Sequence, residues 1–153
     1  MDELSRYGLF GIVGNTPIVE LRNISPNPKV RIFAKLEGQN PSGSIKDRIV
    51  LAMMEEAEKQ GFLREGDTIV EASTGNTAIA VSALAPRRGY KVHVILPRGI
   101  VPSIADILAL YGSEIEWVDP KAGMGGALDR AQELILKPRH YALGQFTNST
   151  NVQ

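Results

Sequence analysis

Apolar and polar positions along the chain change repeatedly between a helical and a strand-like pattern. After residue 44, apolar side chains recur every three or four positions, which is the spacing of one buried helix face: Ile45, Ile49, Ala52, Met53 and Ala57. Further on, strands are predicted at 68–71, 91–96, 114–118 and 141–142, and helices at 76–88, 103–110 and 127–136. This alternation predicts an α/β fold, an open and mostly parallel sheet in three layers with helices on both faces.

Two short strands are predicted before the first helix, at 18–21 and 30–36. A loop of turn-forming residues then leads into that helix. Ser44 is its expected N-cap, with Asp47 three residues later in a variant of the capping box, and Gly61 is its expected end.

Two stretches predict departures from regular structure. Pro86 falls near the end of the 76–88 helix, and because proline removes a helical hydrogen bond, we expect the helix to bend or end early there. The glycine-rich stretch 123–126 lacks the spacing of a dinucleotide-binding loop, and we expect it to form a loop before the 127–136 helix.

Composition narrows the class of protein. The 153 residues carry 17 basic and 17 acidic side chains, and this zero net charge argues against a nucleic-acid-binding surface. The absence of cysteine excludes a disulfide framework and a thiolate metal site, and no metal site is expected at His93 and His140, which are far apart in sequence. No apolar run is long enough to span a bilayer and the N-terminus does not resemble a secretory signal, so we expect a cytoplasmic protein.

Lys46 is the first candidate for chemistry. It lies in the first turn of a predicted helix, where the unpaired N–H groups and the positive end of the helix dipole disfavour the charged ammonium form. A neutral amine is the form that adds to an aldehyde. The alternative is a surface lysine whose aliphatic stem covers apolar area.

Residues 73–77 form the second candidate, a Ser-Thr-Gly-Asn-Thr segment between a predicted strand and a predicted helix. Hydroxyl groups and backbone N–H groups at a helix N-terminus bind carboxylates and phosphates. The segment also follows the carboxyl end of a strand, where open α/β sheets bind ligands. The alternative is simple N-capping by Thr74 or Asn76.

Segment 99–110 is unusually apolar, which fits either a buried core or a surface that meets a partner.

Six motifs together resemble the cysteine synthase family, the fold-type-II group of pyridoxal-phosphate enzymes that also contains cystathionine β-synthase and threonine synthase. They occur in family order and spacing, and the sequence at 36–38 is most similar to that of the B-type cysteine synthases. The matching segments are 14–17, 35–48, 71–77, 89–92, 110–112 and 145–148.

The resemblance implies a role for each matching residue. Lys46 corresponds to the catalytic lysine that forms a Schiff base with pyridoxal phosphate, and Asn76 to the asparagine that binds the 3′-oxygen of the cofactor. The carboxylate of the amino-acid substrate is expected to bind Ser73, Thr74, Gly75, Asn76, Thr77 and Gln145. The implied reaction is β-replacement, in which O-acetylserine or a related activated serine and sulfide give cysteine.

The resemblance also implies an architecture. Residues 1–37 would join a second domain, residues 38–153 would form the α/β domain that binds substrate and cofactor, and the full-length protein would be a homodimer. Two alternatives stay open: a half-length non-catalytic paralogue that acts as a binding or regulatory module, and a threonine-synthase-like relative.

Three features depart from the family pattern. The usual Thr-Ser order of the carboxylate loop is Ser73-Thr74 here, which puts the substrate preference in question. A segment that is usually charged is apolar at 101–110. The 153 residues are about half a family length, and the other half normally carries the loop that holds the cofactor phosphate. We therefore expect this chain alone to bind the cofactor poorly and to have little turnover.

Overall fold

The computed structural model describes residues 8–144 and residue 148. In chain order the elements are α1 (Leu9–Ile12), β1 (Ile18–Glu20), β2 (Phe33–Lys35), α2 (Lys46–Lys59), β3 (Thr68–Ala72), α3 (Asn76–Leu84), β4 (Lys91–Pro97), α4 (Pro102–Leu110), β5 (Glu114–Val118), α5 (Gly123–Leu134) and β6 (His140–Ala142). Short 3₁₀ turns occupy Glu37–Gln39 and Ala85–Arg88. None of the described helices is long and apolar enough to cross a membrane.

Four of the strands form one parallel sheet, in the order β5-β4-β3-β6. β3 lies inside the sheet, with Ile69 opposite Val92 of β4 on one side and Tyr141 of β6 on the other. Because parallel neighbours require a crossover, the helices lie on the faces of the sheet. The predicted α/β fold is confirmed.

Alternate residues of the central strands point to different faces. Ile69, Val92 and Val94 pack in one buried cluster with α2, α3 and Leu108 of α4. Val70 and Ile95 pack in a second cluster with the apolar side of α5. The sheet is therefore the middle of three layers.

β1 and β2 form a separate antiparallel ribbon outside the main sheet. β2 covers only Phe33–Lys35, shorter than the predicted 30–36 strand, because the preceding chain turns at Asn27: its side chain accepts the Lys29 N–H, and its carbonyl accepts the Val30 N–H. Ile18 and Phe33 of the ribbon are more than half exposed.

The two other local predictions have different outcomes. α3 ends at Leu84 and continues as a 3₁₀ turn that contains Pro86, so the prediction of an early end is confirmed. The loop predicted at 123–126 is wrong, because α5 begins at Gly123. The bond from the Gly126 N–H to the Ala122 carbonyl already has helical spacing, so these glycines form the first turn.

Candidate functional site

Lys46 and the 73–77 segment lie at the same edge of the sheet. Residues 60–67 lead from the end of α2 to the start of β3, so α2 runs antiparallel to β3 and begins near the carboxyl end of that strand. The 73–77 segment leaves β3 at that end and enters α3. The structure therefore brings the two predicted candidates to the edge at which open α/β sheets bind ligands.

Lys46 is the first residue of α2 and is half-buried. Ile45, not the predicted Ser44, is the N-cap, and no side chain caps it. Ser44 still contributes, since its hydroxyl accepts a hydrogen bond of 3.2 Å from the Lys46 backbone N–H. The positive end of α2 is thus placed directly at the lysine.

Asp47 is completely buried and fixes the loop before α2. Its carboxylate accepts hydrogen bonds from the Ser42 N–H, at 2.7 Å, and from the Ser42 hydroxyl. The predicted capping box is therefore wrong, because Asp47 pairs with Ser42 and not with Ser44. The two backward contacts hold residues 42–47 as a closed turn.

The start of α3 has no side-chain cap. Gly75 occupies the N-cap position, and neither Thr74 nor Asn76 caps the helix there, so the alternative of simple N-capping is wrong. The Gly75 N–H lies 3.4 Å from the Ser73 hydroxyl, and a Cβ added at Gly75 would meet no atom of the described residues within 4 Å. Asn76 is exposed and Thr77 is buried. Among the described residues, the uncapped helix end therefore leaves room of the kind that an anion can enter.

Gln145, the remaining predicted substrate residue, lies outside the described residues.

Glu71 is a further member of this edge that is not among the predicted site residues. It is 5% exposed, and burial raises the pKa of its carboxyl to about 7, while the positive charge of Lys46 acts in the opposite direction. The signal in the sequence is a lone carboxylate in the otherwise apolar end of β3, 69–72.

Arg48 and Glu37 form the centre of a polar cluster beside the start of α2. Arg48 donates from Nε to Glu37 Oε2 at 2.7 Å and from Nη2 to Glu37 Oε1 at 2.8 Å. The Thr16 hydroxyl donates to Glu37 Oε1 at 2.9 Å, and Asn40 Nδ2 donates to Glu37 Oε2 at 2.8 Å. Arg48 lowers the pKa of the Glu37 carboxyl to about 2, and the bonds from Asn40 and Thr16 act in the same direction. We call Thr16, Glu37, Asn40 and Arg48, with the Gly14 backbone, the Glu37 cluster.

His93 is buried in β4, on the face covered by α5. Its Nε2 atom lies 3.2 Å from Glu116 Oε2 but makes no hydrogen bond, and Arg130 pairs with Glu116 at 2.6 Å. Among residues 8–144 and 148, no group of three or more potential ligands could hold a metal ion.

Comparison with known proteins identifies the family. Residues 9–153 match the family model described as pyridoxal-phosphate dependent enzyme. Cysteine synthase B of Escherichia coli K12 is 39% identical over 139 residues, which cover 91% of this chain and 46% of that protein. Cysteine synthase B of Pseudomonas aeruginosa is 41% identical over 139 residues, again 91% of this chain and 46% of that protein. The chain thus spans about half the length of the curated relatives it matches.

Solved structures agree with the sequence relatives. A hydrogen sulfide-producing enzyme of Fusobacterium nucleatum matches with a TM-score of 0.85 and 35% identity, covering 94% of this chain and 47% of that one. Cysteine synthase of Entamoeba histolytica matches with a TM-score of 0.86 and 31% identity, covering 95% of this chain and 45% of that one. The chain belongs to the family of pyridoxal-phosphate-dependent enzymes, whose cofactor is pyridoxal phosphate, and the two curated relatives described above are cysteine synthases.

Proposed function

We propose that this chain carries the lysine-bearing part of an enzyme that makes cysteine by β-replacement, from O-acetylserine or a related activated serine and sulfide. The observation that carries the proposal is the placement of Lys46 and the uncapped start of α3 at one edge of the sheet. An amine for the cofactor and an anion site for the substrate carboxylate are the two parts that this reaction needs first.

The described residues fit the cofactor. The half-buried primary amine of Lys46 lies at the start of α2. No side chain of the described residues forms a hydrogen bond or an ion pair with this amine, whereas Arg48 in the same turn is paired with Glu37. The added Cβ that meets no atom at Gly75 indicates room beside the 73–77 segment. Bound there, pyridoxal phosphate would supply the electron sink for bond changes at the α and β carbons of the amino acid.

Each site residue then has a defined task. Lys46 would hold the cofactor covalently through Nζ, and Nζ, freed when the substrate amine takes its place, would take the α-proton of the substrate. Asn76 would orient the cofactor by a hydrogen bond to its 3′-oxygen. The substrate carboxylate would bind the segment formed by Ser73, Thr74, Gly75, Asn76 and Thr77, helped by Gln145.

The rest of the site is proposed to come from outside the 153 residues. We propose that residues 1–37, which include the β1–β2 ribbon, join a second domain, and that residues 38–153 form the domain that binds substrate and cofactor. The exposed side chains of Ile18 and Phe33 support this, because apolar ribbon surface of this kind is normally covered. Without contacts to the cofactor phosphate, the isolated chain is expected to bind pyridoxal phosphate weakly. For the full-length protein we propose a cytoplasmic homodimer.

The relatives favour this function over the two alternatives. Those reported above are named as cysteine synthases or as a hydrogen sulfide-producing enzyme, which supports sulfur chemistry over a threonine-synthase-like reaction. The uncapped α3 terminus and the half-buried Lys46 support a ligand site over a purely regulatory module.

Borohydride trapping tests the central claim. The chain is incubated with pyridoxal phosphate, reduced, digested and mapped by mass spectrometry, so that even weak binding leaves a permanent label. We expect the label to concentrate on Lys46, and the total label to fall sharply in Lys46→Ala but not in Lys59→Ala, which removes an exposed lysine at the other end of α2. An even distribution over all lysines would contradict the proposal. Assays of the full-length protein with O-acetylserine plus sulfide, and with O-phosphohomoserine, then separate the two reactions.

A further inference from the structure

We propose that Glu37 and Arg48 are positioning residues for Lys46: their ion pair fixes the first turn of α2, and with it the direction in which the Lys46 amine leaves the helix. This inference rests on the proposed role of Lys46 as the cofactor lysine. It assigns a task to the Glu37 cluster, which the proposed reaction does not otherwise use.

The ion pair is bidentate and partly shielded from solvent. Nε and Nη2 of Arg48 donate to the two oxygens of Glu37 at 2.7 and 2.8 Å, and the side chains are 37% and 18% exposed. A two-point contact fixes the orientation of the guanidinium plane as well as its distance. Because Arg48 is only two residues from Lys46 in the same helical turn, this contact constrains the backbone that carries the lysine.

The cluster joins three separate parts of the chain. Arg48 Nη2 also donates to the Gly14 carbonyl at 2.7 Å, and the Gly14 N–H donates to Asn40 Oδ1 at 2.8 Å. Asn40 Nδ2 in turn donates to Glu37 Oε2 at 2.8 Å, so that Arg48, Gly14, Asn40 and Glu37 form a closed ring of hydrogen bonds. These hydrogen bonds therefore link the 14–16 turn, the 37–40 turn and α2 directly to one another.

The residues on either side of Lys46 are both anchored. Asp47 is tied to Ser42 in the loop before the helix, and Arg48 is tied to Glu37 and Gly14. Lys46 is the residue in this turn whose side chain is left available for a ligand. Two anchored neighbours that face different loops fix both the position and the rotation of the turn, and a reacting amine needs both.

The cluster keeps its charge over the working range of pH. The pKa of Glu37 is lowered to about 2, and Lys35 Nζ lies 3.9 Å from Glu37 Oε1 on another side. The Glu37–Arg48 ion pair is therefore present throughout this pH range and does not act as a pH switch.

Glu37→Gln tests the proposal, with Glu20→Gln as the matched control. Glu20 also forms a two-point pair, with Arg31 at 2.9 and 3.2 Å, but it lies on the ribbon away from α2. Hydrogen–deuterium exchange of peptides that span residues 44–52 is expected to be faster in Glu37→Gln and unchanged in Glu20→Gln. Borohydride labelling of Lys46 by pyridoxal phosphate is expected to fall at least about fivefold in Glu37→Gln, while labelling of Lys59 stays constant.

Wild-type exchange at 44–52 in Glu37→Gln would overturn the proposal. Equal loss of Lys46 and Lys59 labelling together with a lower Tm would also overturn it, because it would show a general effect on stability. If the wild-type chain shows no preference for Lys46, the proposed cofactor role fails, and the exchange data still decide whether Glu37 fixes the turn. Should Glu37→Gln not fold, Thr16→Val removes the hydroxyl that bonds Glu37, Arg48 Nη2 and Lys35 Nζ, keeps the bidentate pair, and is expected to give a smaller effect of the same kind.

Discussion

Glu71 and Lys46 interact electrostatically at the carboxyl edge of the sheet. Burial raises the pKa of the Glu71 carboxyl to about 7, and the positive charge of Lys46 lowers it. A carboxyl that titrates near neutrality is thus placed within electrostatic reach of the proposed cofactor lysine. The effect of the buried Glu71 carboxyl on the free energy of unfolding can be measured without any cofactor.

The first prediction concerns pH and stability. A carboxyl whose pKa is higher in the folded than in the unfolded chain binds its proton more tightly when folded, so stability falls as pH rises from the unfolded value of 4.5 towards about 7. A shift of this size corresponds to about 3 kcal/mol. We expect Glu71→Gln to remove this loss, so that its free energy of unfolding exceeds that of wild type above pH 7.

Urea denaturation between pH 5 and 8 measures this effect. Glu56→Gln, on the outer side of α2 and only partly buried, is the control and is expected to keep the wild-type pH dependence. An unchanged pH slope in Glu71→Gln would show that the buried carboxyl is not the group responsible.

The second prediction separates backbone strain from contact in the Glu37 cluster. Gly14 and Gly43 both have positive φ, +76° and +88°, which strains any other residue. A Cβ at Gly14 would also lie 2.6 Å from Arg48 Nη1, whereas one at Gly43 would meet nothing within 4 Å. Because the guanidinium is held by Glu37 and cannot move without losing those bonds, Gly14→Ala should cost about 2 kcal/mol or more and Gly43→Ala about 1 kcal/mol.

Chemical denaturation of both variants gives the comparison. Equal losses would mean that Arg48 rearranges freely, which would also weaken its proposed positioning role.

Much of the fold could be predicted from the sequence because the signals are local. β3 and β4 are short, mostly apolar segments bounded by turn residues, and α2 has a regular buried face, so apolar pattern together with segment length finds them. The loop predicted at 123–126 was wrong because glycine is only a weak helix breaker and packing of the following turns on the sheet outweighs its low propensity.

The site was predictable only in part. Lys46 and the 73–77 segment are candidates because each lies at a predicted helix start, but their proposed roles come from the resemblance to the cysteine synthase family and stay predictions. The role of Glu37 could not, since its partners Thr16 and Arg48 are 21 and 11 residues away and meet only through tertiary structure. Likewise, the three-residue spacing predicts that Asp47 pairs with Ser44, whereas in the structure the Asp47 carboxylate accepts its hydrogen bond from Ser42.

The third prediction concerns the apolar segment 99–110, for which burial and a partner surface were both open. The structure divides it: Leu108 is fully buried in the core, whereas Leu110, two residues later on α4, is 84% exposed. Leu108→Ala should cost about 2–5 kcal/mol, because it leaves a cavity in a packed cluster. Leu110→Ala should stay within about 0.5 kcal/mol of wild type. Thermal and urea unfolding of the two variants test this division, and similar losses in both would mean that α4 presents a different face to the core.

The fourth prediction separates substrate binding from folding at the 73–77 segment. Gly75 has a negative φ of −143° and no neighbour within 4 Å of an added Cβ, so Gly75→Ala should fold with a loss of about 1 kcal/mol or less, the usual cost of alanine at an N-cap. The new methyl group would nevertheless add bulk to the 73–77 segment, where we propose that the substrate carboxylate binds. In the full-length protein, KM for the amino-acid substrate should therefore rise at least about tenfold while Tm changes little. Gly125→Ala in α5, which also meets no atom within 4 Å, is the control and should leave KM unchanged. A normal KM in Gly75→Ala would count against carboxylate binding at the 73–77 segment.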